Sequence, residues 1–260
     1  ERAEKAAKEY GTPDAKVYTD YHELLADPTI DAVHVLTPNV AHCEITVAAL
    51  EAGKHVLCEK PMAATPADAK KMLEARDRTG KMLTIGYQYR HFPENQVAKK
   101  VVDSGVLGDV YYAEATYLRR RGVPTWGVFT DKAKQGGGPL IDIGTHALDL
   151  TLFAMNNYEP AYCVGKTYHK LNKQTGTGNA WGDWDTEKFT AEDSAFGFVV
   201  MKNGATINLR SSWALNYANP LEAATTVCGD KAGADMLDGL RINTVLGGKQ
   251  VMITPDLNGG

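Results

Sequence analysis

Three short apolar runs alternate with longer helical stretches in the first third of this 260-residue chain. The runs cover residues 31–36, 55–58 and 82–85, and the helical stretches between them cover residues 39–52 and 65–79. Short, mostly apolar strands separated by helices are typical of βαβ crossovers, in which neighbouring strands are parallel. The sequence therefore predicts an α/β protein whose first domain contains a doubly wound, Rossmann-type parallel sheet.

Polar residues follow each of the predicted strands. They form the segments 37–39, 59–61 and 87–89. Ligands of open α/β sheets bind at the carboxyl ends of the strands, so these residues are candidates for a binding site. Lys60 would be partly desolvated there and could donate a proton or anchor an anion, although most lysines are solvated surface residues. Asn39 begins a helix, where it can cap the backbone, bind a ligand oxygen, or do both.

The glycine-rich fingerprint of dinucleotide-binding folds, G-x-G-x-x-G after a strand, does not occur in the sequence. The segments Gly136-Gly137-Gly138 and Gly176-Thr177-Gly178 do not combine a preceding strand with a following helix at the required spacing. Residues 1–10 favour a helix and begin without a Met or a strand before them. We therefore expect a first strand, glycine turn, helix and second strand, about 30 residues, upstream. Residues 1–90 are assigned to an N-terminally truncated dinucleotide-binding domain.

The hydrophobic pattern changes in the second half. Residues 110–117, 194–201 and 205–213 have the composition of strands, and Asn203-Gly204 is typical of a tight hairpin turn. This pattern predicts an α+β domain over residues 91–260, with a large, mostly antiparallel sheet and one helix packed on it. We assign substrate binding and oligomerisation to this domain.

The predicted helix of the second domain, residues 139–155, carries polar side chains among apolar ones. At about 100° per residue, Asp142, His146 and Asp149 fall on one face. A carboxylate one turn from a histidine can hold the imidazole in one tautomer, as general acid–base catalysis requires. An ordinary charged helix surface and a metal site built from Asp and His are the alternatives. Because no further ligand cluster is evident, no metal is predicted.

A long polar segment, residues 171–193, is rich in glycine and contains Trp181 and Trp184 among acidic residues. Loops of this length are usually functional or disordered. Tryptophan beside Asp and Asn suits a sugar ring, but an ordinary surface insertion has the same composition.

Composition restricts the classes of partner. The net charge of −4 gives no reason to expect nucleic acid or an anionic membrane surface as a partner. No apolar run approaches the roughly 20 residues that a membrane-spanning helix needs. The four cysteines lie far apart without a C-x-x-C pair, which favours a reduced, cytoplasmic protein over a disulfide or zinc scaffold.

Four segments resemble the Gfo/Idh/MocA family, which includes glucose-fructose oxidoreductase and inositol dehydrogenase. They are YHELL (21–25), AVHVLTPN (32–39), GKHVLCEKP (53–61) and GGGPLIDIGTH (136–146). The Glu-Lys-Pro tripeptide together with the downstream Asp-x-Gly-x-His is more specific for this family than either motif alone. The resemblance extends from residue 1 to about residue 215.

The resemblance implies that Lys60, Asp142 and His146 are catalytic. His146 would accept the proton of a substrate hydroxyl, Asp142 would orient the imidazole, and Lys60 would bind and polarise the same oxygen. Contacts with the cofactor, NAD or NADP, are implied for Thr37, Asn39, His42, Glu59 and Lys60. Contacts with the substrate are expected for Gln88, Tyr89 and Trp126.

The implied function is hydride transfer between a nicotinamide cofactor and a hydroxyl-bearing carbon of a sugar, sugar derivative or cyclitol. A glycosidase that transiently oxidises the sugar with bound NAD remains an alternative. A sugar-sensing regulator on the same scaffold would be expected to lack Lys60 and His146. The implied partners are a small sugar or polyol and further copies of the chain, in a dimer or tetramer. Family members continue beyond the sheet, so a returning segment is expected after Gly259-Gly260.

Overall fold

The computed structural model describes residues 1–257 and divides the chain into two compact units, Glu1–Gly86 and Tyr87–Gly260. The predicted chain end at Gly259-Gly260 lies outside the described residues.

The first unit alternates helices with short strands. Its elements are α1 (Arg2–Tyr10), α2 (Tyr21–Ala26), β1 (Ala32–Val35), a 3₁₀ turn (Asn39–Ala41), α3 (His42–Glu51), β2 (His55–Cys58), α4 (Pro66–Thr79) and β3 (Leu83–Ile85). The three strands form one sheet in the order β1-β2-β3, and both neighbouring pairs are parallel. The predicted parallel sheet is therefore confirmed.

Local sequence signals fix the limits of α4. Thr65 caps its first turn by accepting a hydrogen bond from the backbone N–H of Asp68 at 3.2 Å, and Pro66 occupies the first helical position. Gly80 ends the helix with a positive φ of 65°, a conformation that glycine adopts without the steric cost of a side chain.

One face of the small sheet packs against α3 and α4. The apolar core on that face is built from Val35, Val56, Cys58, Leu50 and Met72, all of which are buried. Alternate strand residues point to the opposite face, where His34, Leu57 and Thr84 are exposed. Burial on one face thus sets the register of the three strands.

The second unit is built round a larger sheet. Its elements are a 3₁₀ turn (Gln88–His91), α5 (Pro93–Asp103), β4 (Val110–Leu118), α6 (Lys132–Gln135), a π-helical turn (Leu140–Gly144), α7 (Thr145–Met155), β5 (Pro160–Tyr168), β6 (Ser194–Met201), β7 (Thr206–Ser212), β8 (Leu221–Gly229), β9 (Gly233–Asp235), β10 (Arg241–Leu246) and β11 (Lys249–Ile253). Among the described residues, the sheet has eight strands in the order β11-β10-β9-β8-β4-β7-β6-β5. The β4–β7 pair is parallel, whereas the other pairs are antiparallel. The predicted mostly antiparallel sheet is confirmed.

The predicted hairpin joins β6 to β7. Gly204 in the turn has a positive φ of 90°, and the N–H of Met201 donates to the carbonyl of Ala205 at 2.8 Å. On β7, Ile207 and Ser211 are fully buried on the face that packs against the helical layer. In this layer α7 lies on β4 and β8, and α5, which the sequence analysis did not predict, packs against α7.

The structure also bears on the membrane and cysteine predictions. No helix between residues 1 and 257 combines the length and apolar character needed to cross a bilayer. The four cysteines, Cys43, Cys58, Cys163 and Cys228, are all free thiols.

Candidate active site

In the first unit, the carboxyl ends of the three strands lie side by side. The parallel register places Val35 beside Cys58, and Cys58 beside Ile85. The hydrogen-bond ladder continues past the strands, because the N–H of Glu59 donates to the carbonyl of Val35 at 3.0 Å. Gly86 extends it on the other side by donating to the carbonyl of Cys58 at 2.8 Å. The loops that carry Thr37 and Lys60 therefore leave the same edge of the sheet.

His42 connects two of these loops. Its ring is buried, with Nδ1 at 2.8 Å from the carbonyl oxygen of Pro61 and Nε2 at 2.9 Å from that of Thr37. Each ring nitrogen faces one of the two carbonyls and donates to it when it carries a proton, so the imidazole lies as a bridge between the loop after β1 and the loop after β2. In the described structure His42 thus acts as a link between the two loops.

The remaining predicted cofactor residues of this unit line the same edge. Asn39 begins the 3₁₀ turn after β1, and Lys60 precedes Pro61 through a cis peptide bond. Glu59 is half-buried, and its Oε1 lies 3.3 Å from Nε2 of His34. A side chain at Gly86 would place its Cβ 3.1 Å from the Glu59 carboxylate, so the Glu59 side chain would have to shift by a few tenths of an ångström to accommodate it.

Residues at this edge have the chemistry that a nicotinamide cofactor requires. Among residues 1–257, the buried hydroxyl oxygen of Thr37 has no hydrogen-bond partner, and it therefore requires one from a ligand or water. Thr37, Asn39 and Glu59 together offer hydroxyl, amide and carboxylate groups, which suit ribose hydroxyls and amide groups. The predicted cofactor residues therefore fit one part of a dinucleotide site at the usual edge of a parallel sheet.

The second unit holds the other group of predicted site residues. The helix predicted over residues 139–155 is present, but its first turns, Leu140–Gly144, are π-helical. The i→i+5 hydrogen bonds of a π turn widen the helix, and such turns occur often at functional sites. The sequence prediction, which applied the α-helical angle to Asp142, is corrected in this turn.

The glycines of GGGPLIDIGTH allow this helix to lie close to its neighbours. A Cβ at Gly144 would lie 2.8 Å from Oγ of Ser211 on β7, and one at Gly138 would collide with the backbone of Glu192. The N–H of Gly138 donates to the buried Glu192 carboxylate at 2.8 Å. These glycines therefore have a packing role, which explains their spacing without a phosphate-binding loop.

The carboxylate of Asp142 is fixed by a residue that the sequence analysis did not place in the site. The indole Nε1 of Trp213 donates to Oδ2 of Asp142 at 2.9 Å, and the Trp213 ring is fully buried. The alternation of a strand places Trp213 on the same face as Ile207, Leu209 and Ser211, and no role in the site was predicted for it. A signal that could have identified it is that a buried tryptophan needs an acceptor for its N–H, and carboxylates are strong acceptors.

His146 lies at the start of α7 and is only 6% exposed. Its ring is 5.1 Å from the ring of Tyr89 and 6.4 Å from that of Tyr87, both edge-on. The hydroxyl of Tyr87 is 3.0 Å from Oγ1 of Thr145, and burial raises the pKa of Tyr87, so the phenol stays protonated. The structure thus brings the rings of the predicted residues Tyr89 and His146 into contact within the second unit.

Asp149, which the α-helical angle places on the same face as His146, has a different role. It forms an ion pair with Arg90, whose Nε donates to Oδ2 at 2.8 Å and whose Nη2 contacts Oδ1. The guanidinium also lies over the rings of Tyr87 and Phe153 at 5.8 and 5.3 Å. This pair anchors the 3₁₀ turn that carries Tyr89 onto α7.

The other two predicted substrate residues lie at the surface. Gln88 is exposed at the start of the 3₁₀ turn, and Trp126 is exposed in the loop after β4. Within residues 1–257, the side chains of His, Cys, Asp and Glu form no group of three or more placed to hold a metal ion.

Comparison with known proteins identifies curated relatives. D-glucoside 3-dehydrogenase of Escherichia coli strain K12 is 40% identical over 235 residues, which are 90% of this chain and 66% of that protein. Levoglucosan dehydrogenase of Pseudarthrobacter phenanthrenivorans is 32% identical over 173 residues, which are 65% of this chain and 43% of that protein. The chain therefore spans less than two thirds of the length of these relatives.

A solved structure shares the fold. The crystal structure of aldose-aldose oxidoreductase from Caulobacter crescentus, complexed with glycerol, superimposes with a TM-score of 0.78 at 28% identity. The superposition covers 98% of this chain and 72% of that one.

Family models match both units. An oxidoreductase-family model with an NAD-binding Rossmann fold matches residues 1–87, and the GFO/IDH/MocA C-terminal domain matches residues 95–235. The resemblance seen in the sequence motifs is confirmed, and the chain belongs to the GFO/IDH/MocA family of oxidoreductases.

Proposed function

We propose that the protein transfers a hydride between a nicotinamide cofactor and a hydroxyl-bearing carbon of a sugar, sugar derivative or cyclitol. The observation that supports this most is the arrangement at the start of α7, where Trp213 fixes the carboxylate of Asp142 one turn before the buried His146. The names of the relatives, which include D-glucoside 3-dehydrogenase and inositol 2-dehydrogenase, agree with this substrate class.

Three residues carry the proposed chemistry. His146 takes the proton of the substrate hydroxyl, and Asp142 orients its imidazole. Lys60 binds the same oxygen and stabilises the negative charge that develops on it as the proton leaves. When bound, the nicotinamide supplies the acceptor for the hydride from the carbinol carbon.

The cofactor is NAD or NADP, held at the strand ends of the first unit. Thr37, Asn39, Glu59 and Lys60 contact it, and the unpartnered hydroxyl of Thr37 supports this placement. The prediction that His42 also touches the cofactor remains a proposal, beside its role in linking the two loops. Tyr89, Gln88 and Trp126 are the proposed substrate contacts.

Two single substitutions in the full-length protein test the assignment. Lys60→Ala and His146→Ala should each lower kcat about 10²-fold or more, because each removes a group that acts on the reacting oxygen. Binding of NADH, measured by its fluorescence, should be largely unchanged in His146→Ala, whereas Lys60→Ala also removes a proposed cofactor contact and should weaken it. The matched controls Lys70→Ala and His22→Ala remove exposed side chains of the same types and should leave kcat unchanged. Turnover like that of the wild type in either site variant would refute the assignment.

The products of the reaction distinguish the glycosidase alternative from the proposed dehydrogenase. Release of an aglycone from a glycoside without net formation of NADH would select it. Net NADH formation in proportion to the sugar oxidised supports the dehydrogenase.

We also propose that copies of the chain associate through the open face of the large sheet. Tyr162, Val164 and Phe198 lie exposed on neighbouring strands β5 and β6, where Val164 pairs with Phe198. Light scattering of the full-length protein should give a dimer or tetramer, and Phe198→Lys should shift the mass toward the monomer. A monomeric wild type would reject this proposal.

The four free thiols support a cytoplasmic location.

A further inference from the structure

Two tryptophans of the second unit form an exposed aromatic corner, defined here as Trp126 and Trp181. Their side chains are 53% and 43% exposed, and their ring centroids lie 5.1 Å apart at an interplanar angle of 80°. The ring of Phe129 supports Trp126 from 6.0 Å. Large aromatic side chains left open together mark binding surfaces more often than isolated exposed residues do.

Hydrogen bonds hold the two loops of the aromatic corner together. Asn179 accepts from the N–H of Val123 at 2.9 Å and donates to its carbonyl at 3.0 Å. The hydroxyl of Thr125 donates to the carbonyl of Trp181 at 2.7 Å. Because these bonds flank both indoles, the rings are positioned before any ligand arrives, which reduces the entropy lost on binding.

The polar groups beside the aromatic corner suit a neutral ligand. The guanidinium of Arg119 lies 5.2 Å from the ring of Trp181, and its Nε donates to the Glu222 carboxylate at 3.1 Å. Because Glu222 balances the charge of Arg119, this pair does not select an anion. It offers both donors and acceptors to hydroxyl groups, while the indole faces can stack on the C–H face of a sugar ring.

An unbroken series of contacts joins the aromatic corner to the proposed base. The guanidinium of Arg119 donates to the hydroxyl of Tyr117 at 3.3 Å, and this hydroxyl lies 3.5 Å from that of Tyr89. The ring of Tyr89 is in turn 5.1 Å from the ring of His146. Burial raises the pKa of Tyr117, so its phenol stays neutral and remains a hydrogen-bond partner in this series of contacts.

We propose that the aromatic corner of Trp126 and Trp181 is a second sugar subsite, which binds the ring adjacent to the one oxidised at His146. The inference rests on the proposed dehydrogenase function and narrows its substrate to glycosides with a ring-shaped aglycone, such as disaccharides. A monosaccharide or methyl glycoside would be too short to contact Trp181.

Matched substrate pairs test the subsite in the full-length protein with NAD⁺. The pairs are cellobiose with methyl β-D-glucoside, and maltose with methyl α-D-glucoside. For at least one pair, the wild type should have a higher kcat/KM for the disaccharide than for the methyl glucoside. Trp126→Ala and Trp181→Ala should each lower the value for the disaccharide about 10-fold. Trp181→Ala, which lies outside the proposed contacts with the oxidised ring, should change the value for the methyl glucoside less than about 2-fold. Tyr158→Ala, which removes an exposed aromatic residue outside the corner, should change neither.

Direct binding separates failure of the subsite from failure of the proposed function. Cellobiose and maltose are titrated against the wild type by calorimetry. The subsite is supported if either disaccharide binds saturably to the wild type and more weakly to both tryptophan variants. This holds even if the wild type oxidises no sugar and the dehydrogenase proposal fails. The subsite is wrong if both members of a pair respond equally to the substitutions, or if neither disaccharide binds. It is also wrong if the variants change the oligomeric mass instead of the disaccharide preference, since the aromatic corner would then be an interface.

Discussion

The indole N–H of Trp213 donates to a carboxylate oxygen of Asp142 at 2.9 Å, and this bond connects the residue directly after β7 to the π turn before α7. One oxygen of Asp142 is thereby fixed toward the sheet. In the proposed mechanism, Trp213 positions the carboxylate that orients His146 and does not itself touch the substrate.

Replacement of Trp213 by Phe tests this positioning role. The change keeps an aromatic ring and removes the N–H, so kcat should fall about 10-fold while KM changes little. Trp184→Phe is the matched control, because Trp184 is also buried and donates its N–H to the carbonyl of Asn172 at 2.9 Å. Both variants should lose similar stability in thermal unfolding. Equal losses of kcat in the two variants would argue against a positioning role for Trp213.

Substitution of Gly144 by Ala should destabilise the second unit. The new Cβ would lie 2.8 Å from Oγ and 2.9 Å from Cβ of Ser211, so the helix must move away from β7. Overpacking of this kind typically costs about 1–3 kcal/mol. The control is Gly197→Ala, where the closest atom would be at an ordinary 3.4 Å. Urea denaturation of both variants gives the comparison, and equal midpoints would contradict the account.

The Arg90–Asp149 ion pair should stabilise the second unit more than an exposed pair does. The Asp149 side chain is 11% exposed and that of Arg90 33%, so Asp149→Ala leaves a partly buried guanidinium without its partner and should cost about 2 kcal/mol. Glu159→Ala breaks the exposed pair with Lys202 and should cost less than about 1 kcal/mol. Tryptophan fluorescence reports on this unit, since Trp126, Trp181, Trp184 and Trp213 all lie in it.

A double-mutant cycle completes the test of this pair. If the charges stabilise each other, the Arg90→Ala and Asp149→Ala double variant should be more stable than the sum of the single effects predicts. Strict additivity would mean that the pair contributes no interaction free energy.

The first unit should lose stability in acid through Asp27. Hydrogen bonds from Lys16, Thr29 and Tyr18, with that from Lys16 the largest cause, hold the pKa of Asp27 well below its usual value. A carboxylate with a lowered folded-state pKa stabilises the fold above the unfolded value of about 4, and this stability is lost as the pH falls toward the folded value. Asp27→Asn should therefore lose less stability than the wild type between about pH 5 and about pH 3.

Urea unfolding followed by circular dichroism measures this difference. Asp77→Asn, which changes an exposed carboxyl in α4, should respond to acid as the wild type does. Equal acid sensitivity of Asp27→Asn and the wild type would contradict the assignment.

The sequence was sufficient for elements whose signals are local. Thr65 and Gly80 marked the ends of α4, and Asn203-Gly204 marked the hairpin, because caps and tight turns depend on adjacent residues. The strands β8 to β11 were not predicted, since residues 221–253 mix small, polar and apolar residues without a strong period.

The parts of the site that depend on distant contacts were harder to predict. The π turn changed the angle between Asp142 and the residues after it, which an ideal helix cannot show. The helical angle grouped Asp149 with His146. Its ion pair with Arg90, which lies 59 residues away in the sequence, cannot be seen from that pattern. The strand pattern placed Trp213 on one face, but the acceptor of its N–H becomes visible only when the end of β7 and the helix are packed together.

The central claim is that Lys60 and His146 act on one oxygen atom of the substrate. A crystal structure of the full-length protein with NADH and a bound sugar would test it most directly. The account predicts that Nζ of Lys60 and a ring nitrogen of His146 both lie within about 3 Å of the same sugar hydroxyl. A sugar bound with only one of the two groups within reach of its reacting hydroxyl, or with neither, would contradict it.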